Sequence, residues 1–285
     1  MAVEPTPRRR RLGAELKRRR EDLGWTVEEA ARQLGYKSAG TVSKIEKGTQ
    51  GVTIQQLPHF FEVYGITDAS LREMLRELVR RGGEHDWWQR YEGVVDDPLG
   101  DYLSQVELAS GLFVWNSLTL HGLVQTRAYA RAVTEASRVW KTAEDINRFV
   151  ELRMEHQEAM AGRTPPLKFW AVLPEELLLR EVGGPAVMRE QIQHLITLAN
   201  DDPNTTLQVL PRTSGAHAGM DGSFIHLTFP AGPDVIVIES MRASLHINHP
   251  DSAELYRTTG SLLKSEARTP KESVQILASI AKELA

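Results

Sequence analysis

The chain has no cysteine, so disulfide bridges and thiolate metal sites are excluded at once. No apolar run reaches the ~18–20 residues that a membrane-spanning helix needs. The opening stretch MAVEPTPRRRR lacks the apolar segment of a secretory signal. Together these absences predict a cytoplasmic protein. Signatures of common catalysis are missing too. The sequence has no G-x-x-x-x-G-K-[ST] phosphate loop, no G-x-S-x-G elbow and no H-E-x-x-H zinc motif. Aromatics are sparse at 7%, which makes Trp87, Trp88, Tyr91, Phe113, Trp115 and Trp140 stand out. Their spacing reads as core or interdomain packing rather than as a ligand cage.

What is present is enough for two domains: 285 residues, 41% of them hydrophobic. The net charge of −4 hides an asymmetry. Residues 1–83 hold 16 Lys and Arg against 11 Asp and Glu, leaving 18 against 27 in the rest of the chain. Positive charge gathered at one end is what phosphate neutralisation requires. Arg8, Arg9, Arg10 and Arg11 form a basic run just before the first expected helix. Such a run either follows a phosphate backbone or enters a minor groove, or it is a solvated tail.

Residues 12–48 carry a sharper pattern. Leu12, Leu16 and Leu23 line one face of a basic helix, and Trp25 closes a turn after Gly24. Thr26 is placed to cap a second helix whose first turn holds Glu28 and Glu29, where the helix dipole favours negative charge. Ala30 and Ala31 are small enough for a close helix crossing, Leu34 anchors, and Gly35 ends the helix. A third helix starts near Ser38, with Val42 and Ile45 inward and Ala39, Thr41, Ser43 and Lys44 on or beside its open face. That helix is expected to enter a major groove. The string L-x-x-x-R-x-x-x-G-W-T-x-E-x-x-A-x-x-L-G followed by V-S-K-I-E-K-G resembles the XRE class of phage-repressor-like regulators. Arg20, Trp25, Ala31, Ser43, Glu46 and Gly48 are among the matching positions. The stretch Tyr36 to Thr41 is one residue longer than the usual turn, and Gly40 stands where a helix former is expected. The DNA-contacting set is read as Arg8, Arg9, Arg10, Arg11, Thr26, Lys37, Ser38, Ala39, Thr41, Ser43, Lys44 and Lys47.

Two further helices are expected over Thr53 to Tyr64, with Pro58 as a kink or a late start, and over Asp68 to Arg81. Gly82-Gly83 is the best linker, giving a head of 1–83 and a second domain of 84–285. Within the latter, 84–164 reads as helical, with helices over Asp101 to Ser110, Thr126 to Val139 and Ala143 to Ala161. Residues 165–285 read as α/β, with strands over 167–173, 206–210, 223–229, 235–239 and 244–247 and helices over 185–200, 252–268 and 270–284. The fold class is thus an α-helical helix-turn-helix head plus an α/β domain with a mixed sheet. The second half resembles a C-terminal domain of unknown function that follows an XRE head in many actinomycete regulators, WhiJ-like developmental ones included. The residues that carry this are Glu107 and Ala109, G-L-V-Q-T-x-x-Y-A from Gly122, Arg153 with Gln157, G-G-P-x-V-M-x-x-Q from Gly183, and V-L-P-x-x-x-G-A-H-x-G from Val209. His121 departs from the proline usual before Gly122. The resemblance implies a partner, a small protein encoded by a neighbouring gene.

Candidate chemistry is thin. His246, His249 and Asp251 lie within six residues, but solvated loop histidines are the default and no metal is expected. Gly183-Gly184-Pro185 precedes a helix and reads as a turn rather than an anion site. Glu239 at a strand end and His217 in a glycine-containing loop are the candidates for a ligand pocket. The reading is a transcription regulator with no cofactor and no catalytic residue. It binds double-stranded DNA at an inverted repeat as a homodimer and receives a protein or small-molecule signal through its second domain. An antitoxin-like protein that sequesters a partner, and an enzymatic domain behind a DNA-binding head, are the alternatives.

Overall fold

The computed structural model describes residues 6–80, 87–137, 139–230, 233–240, 243–247 and 249–284. The glycine pair Gly82-Gly83 lies outside these residues. Two compact units divide the chain. One is Met1–Trp87 with Pro230–Gly232, and the other is Trp88–Phe229 with Pro233–Ala285.

The first unit is all helix: α1 (Pro7–Asp22), α2 (Val27–Gln33), α3 (Ala39–Glu46), α4 (Leu57–Val63) and α5 (Ala69–Arg80). Each start has a chemical cause. Thr6 caps α1 by accepting from the Arg9 amide, Thr26 caps α2 through the Glu29 amide, and Ser38 caps α3 through the Gly40 amide. Pro58 sits in the first turn of α4, where its missing N–H costs nothing, so the helix begins late rather than kinking. The four-arginine run does not precede the first helix: Arg8 to Arg11 form the opening turns of α1, and Arg8 is buried. The cap at Thr6 places the helix start five residues ahead of the apolar pattern from which the start was read. Leu16, Ala30, Val42, Ile45, Leu57, Phe60, Leu71 and Leu75 are all nearly inaccessible and form the core of the unit.

The second unit holds a six-stranded sheet in the order β3-β2-β1-β4-β5-β6. Its elements are α6 (Asp97–Leu108), β1 (Gly111–Trp115), α7 (Arg127–Ala136), α8 (Ala143–Ala161), β2 (Lys168–Pro174), the short α9 (Glu175–Leu178) and α10 (Pro185–Asp201). They continue with β3 (Thr205–Leu210), β4 (Phe224–Thr228), β5 (Val235–Glu239), β6 (Ser244–Ile247), α11 (Pro250–Glu266) and α12 (Pro270–Glu283). β1 pairs parallel with β2, and β2 with β3, while β1–β4, β4–β5 and β5–β6 are antiparallel. The mixed sheet is as expected, but its central strand is not. β1 falls inside the stretch 84–164 read as helical. Five residues are too few to display a period of two, and Leu112 to Trp115 are buried on both faces, so the run is uniformly apolar.

Side-chain alternation sorts the two faces. Phe113, Trp115, Val172, Leu210, Phe224 and Ile236 face Ala253 and Leu263 of α11 in one buried cluster. Glu239 and His246, on adjacent strands, belong to the opposite face, where His246 meets Gln105 of α6 through a 2.7 Å hydrogen bond. Threonine caps recur here, with Thr126 on α7, Thr142 on α8 and Thr269 on α12, the last in a full capping box with Glu272. Among the described residues, no helix is long and apolar enough to cross a membrane.

Candidate functional site

In the first unit, α3 is held by contacts on its inward side. Arg20 of α1 donates to both carboxylate oxygens of Glu46 at 2.6 and 3.1 Å, and to the Trp25 carbonyl at 2.7 Å. Both side chains are nearly inaccessible. A methyl group on Gly13 would stand 2.4 Å from the Ile45 carbonyl and 2.5 Å from that of Glu46, so glycine lets α1 pass directly against the end of α3. Gly48 takes positive φ, and its added carbon would meet the backbone of Arg9 and Arg10. The buried Glu15 carboxylate binds Arg18 at 2.7 Å and Arg19 at 3.1 Å, which ties part of the basic charge into the scaffold.

The outward side of α3 is what remains. Gly40, Lys44 and Lys47 are exposed, Ala39, Thr41 and Ser43 are half-buried, and Lys37 and Ser38 are exposed in the preceding turn. Lys37, Lys44 and Lys47 make no ion pair among the described residues, so three unneutralised ammonium groups surround one short helix. Thr26 is exposed but spends its hydroxyl oxygen as a cap. Arg9 lies against Gly51, away from a free-arm arrangement. The structure thus gathers Lys37, Ser38, Ala39, Thr41, Ser43, Lys44 and Lys47 around α3, and holds Arg8 to Arg11 within α1.

The second unit contains a cavity of about 160 Å³ at one end of the strands. The residue after β1, Asn116, and the last residue of β5, Glu239, lie at that same end. Leu99, Tyr102 and Leu103 from α6 line it, as do Thr119 to Gly122 and Gln125 from the segment after β1, and Phe149, Leu152, Arg153 and His156 from α8. A glutamine network fixes the segment after β1. Gln157 donates to the Gly122 and Gln125 carbonyls, Gln125 donates to the Leu120 carbonyl, and Gln191 donates to the Val124 carbonyl while accepting from the Thr126 amide. Gly122 lies directly against Arg153, since an added carbon would sit 2.8 Å from the guanidinium and would make that side chain shift.

The polar lining has defined protonation states. His121 Nδ1 accepts from the Leu123 amide, so the neutral ring carries its proton on Nε2 and donates it to the Tyr102 oxygen at 2.6 Å. Burial, with help from His156 and Arg153, lowers the His121 pKa to about 3. Burial and Arg153 do the same for His156. Tyr102 is driven strongly upward by burial and stays a phenol, its own O–H proton unused among the described residues. Arg153 donates to Gln125 Oε1 at 3.2 Å and stacks over Phe149. Desolvation lowers its pKa, and the Glu239 charge acts against that from beyond ion-pair distance. Glu239 has open surface yet is crowded by protein, as befits a group on a concave wall. Desolvation raises its pKa and Arg153 pulls it back.

Of the two residues read as pocket candidates, Glu239 lines this cavity and His217 does not. His217 packs edge-on against Trp115 and accepts from the Gly219 amide. Gly219 in turn lies so close to Trp115 that an added carbon would stand 2.4 Å from the indole, while the indole N–H binds the Gly219 carbonyl. Gly219 therefore serves packing, while Gly215 and Gly222 take positive φ. His246 is engaged by Gln105, His249 is exposed, and no described cluster of three His, Cys, Asp or Glu is disposed to hold a metal. Gly183 and Gly184 both take positive φ, as in a turn. Sequence reading passed over Tyr102, His121, Gln125, Arg153 and His156 as a set. The available signal was the polar series Arg153, His156, Gln157 on the inward face of a helix otherwise lined by Val150, Leu152 and Met160.

Two family models match the chain. One, described as a helix-turn-helix domain, matches residues 11–75; the other, described as a domain of unknown function (DUF5753), matches residues 99–279. Neither the curated proteins nor the solved structures contain a match.

Proposed function

The chain belongs to the DUF5753 family and joins that domain to a DNA-binding helix-turn-helix head, and from this premise we propose that it regulates transcription as a homodimer on an inverted-repeat operator. The observation that carries the reading is the outward side of α3. Three unpaired lysines, Lys37, Lys44 and Lys47, flank the small polar side chains of Thr41 and Ser43 on a helix fixed from behind by Arg20 and Gly13. Lysines bind phosphates and displace counterions, and a short side chain in the groove reads base edges. An eight-residue helix is about 12 Å long, so one copy reads too few base pairs for a genomic address. Pairing two copies supplies the missing specificity.

The second unit then serves as dimeriser and receiver of a signal, from a small molecule or from a small protein encoded nearby. A catalytic reading has less support, because Glu239 and His217, the two candidates for a pocket, do not line one cavity. The test is selection from random duplex DNA at physiological salt, followed by footprinting. The expected result is two half-sites ~10 base pairs apart, or a multiple of that spacing. No enrichment over random sequence would overturn the proposal.

A further inference from the structure

We propose that the cavity of the second unit binds a small zwitterion, a molecule with the charge pattern of a free amino acid, its carboxylate held by Arg153 and Tyr102 and its ammonium by Glu239. The proposal deepens the receiver role given above, and rests on that reading only where it treats the ligand as a signal.

The charges that line the cavity are unbalanced. Arg153 has five N–H donors and spends one of them on Gln125. No carboxylate among the described residues pairs with it, although a buried guanidinium without a counter-charge is costly. Glu239 is likewise without an ion pair among the described residues and faces the same space. Opposite charges that line one cavity without touching leave room for a ligand carrying both signs. Tyr102 adds direction. Its side chain is about 94% buried, at 6% exposure, and its oxygen already accepts from His121. The phenol proton is therefore left to donate, and Tyr102 lines the cavity beside Arg153. A carboxylate accepts from both groups; a neutral amide offers Arg153 no charge.

Size and setting agree. A cavity of about 160 Å³ matches one that takes a benzene-sized group, on the order of six to nine non-hydrogen atoms once the open mouth is used. Leu99, Leu103, Val133 and Leu152 supply an apolar wall for a short side chain. The site also stands beyond the carboxyl end of β1, the strand at which the sheet passes from parallel to antiparallel pairing, where open sheets present their crevices. Both histidines are neutral there, so they do not compete with Arg153 for the anion.

The experiment is thermal denaturation of the full chain with each of the twenty standard L-amino acids, at concentrations up to ~10 mM, well into the millimolar range of weak ligands. For every active compound its carboxamide and its N-acetyl derivative are run beside it. We expect at least one small amino acid to raise Tm by ~5–10 °C at about 100 times its Kd. Both derivatives should be inert. Glu239→Gln and Tyr102→Phe should each weaken binding about tenfold or more while folding normally, whereas Arg153→Met should abolish it. No shift with any amino acid, a shift that survives removal of either charge, or unaltered binding in Glu239→Gln would each overturn the proposal. Operator binding is measured separately. A silent thermal screen with intact operator selection sinks the ligand and spares the regulator; a clear screen without an operator does the reverse.

Discussion

Glu46→Ala is the most informative single change in the head, because the Arg20–Glu46 pair joins α1 to α3 and the turn before α2 at once. The substitution removes two charge-assisted hydrogen bonds and leaves Arg20 with the Trp25 carbonyl and a 3.4 Å contact to the exposed Glu21. Stranding one member of a buried pair costs ~3–5 kcal/mol, whereas an exposed pair is worth under ~1 kcal/mol. Glu46 and Arg20 retain only 7% and 8% of their side-chain surface, but they lie at shallow depth, where water relieves part of the penalty. The low end, about 3 kcal/mol, is therefore expected. For a unit of this size it lowers the midpoint by ~12–24 °C. Calorimetry measures the shift, and amide exchange in α1 to α3 assigns it to the head. Arg20→Met combined with Glu46→Leu should recover most of the loss, since two apolar side chains leave no stranded charge. A loss below about 1 kcal/mol for Glu46→Ala, or a double variant no better than the single, would refute the claim that a buried pair positions α3.

Four further outcomes are expected. Lys44→Ala should weaken binding to all DNA sequences alike and reduce the salt slope by about 0.9, while Thr41→Ala should cost ~1–3 kcal/mol on the operator and relax one base position; competition titrations at several salt concentrations separate the two. Gly13→Ala should lower head stability by ~1–3 kcal/mol through the clash with the Ile45 carbonyl, and a neutral effect in urea melts would show that α1 can shift away. The neutral His121 and His156 have folded pKa values near 3 against 6.5 unfolded, so the unfolded chain binds more protons between those limits. Stability should then be full above pH 6.5 and fall as the pH drops, by up to ~1.4 kcal/mol per unit for each ring, and a His156→Gln variant that keeps the same slope would contradict this.

The sequence by itself determined the local structure wherever a short-range cause is sufficient. Thr26, Thr126, Thr142 and Thr269 each stand at a helix start because a hydroxyl accepts an orphan amide three residues on. The apolar periodicity of α2, α3, α5, α8 and α10, and the glycines that end α1 and α2, were likewise legible, and with them the helix-turn-helix head. Tertiary structure decided the rest, because it depends on residues far apart in the chain. β1 became the central strand only through pairing with β2 on one side and β4 on the other. The four arginines looked like an arm until a single cap at Thr6 drew them into α1. The cavity joins Tyr102, His121, Arg153 and Glu239 from four separate stretches, and no spacing along the chain encodes that meeting. His217 and Glu239 were both candidates in the sequence, His217 the stronger; packing against Trp115 occupied His217, and the end of β5 placed Glu239 at the cavity.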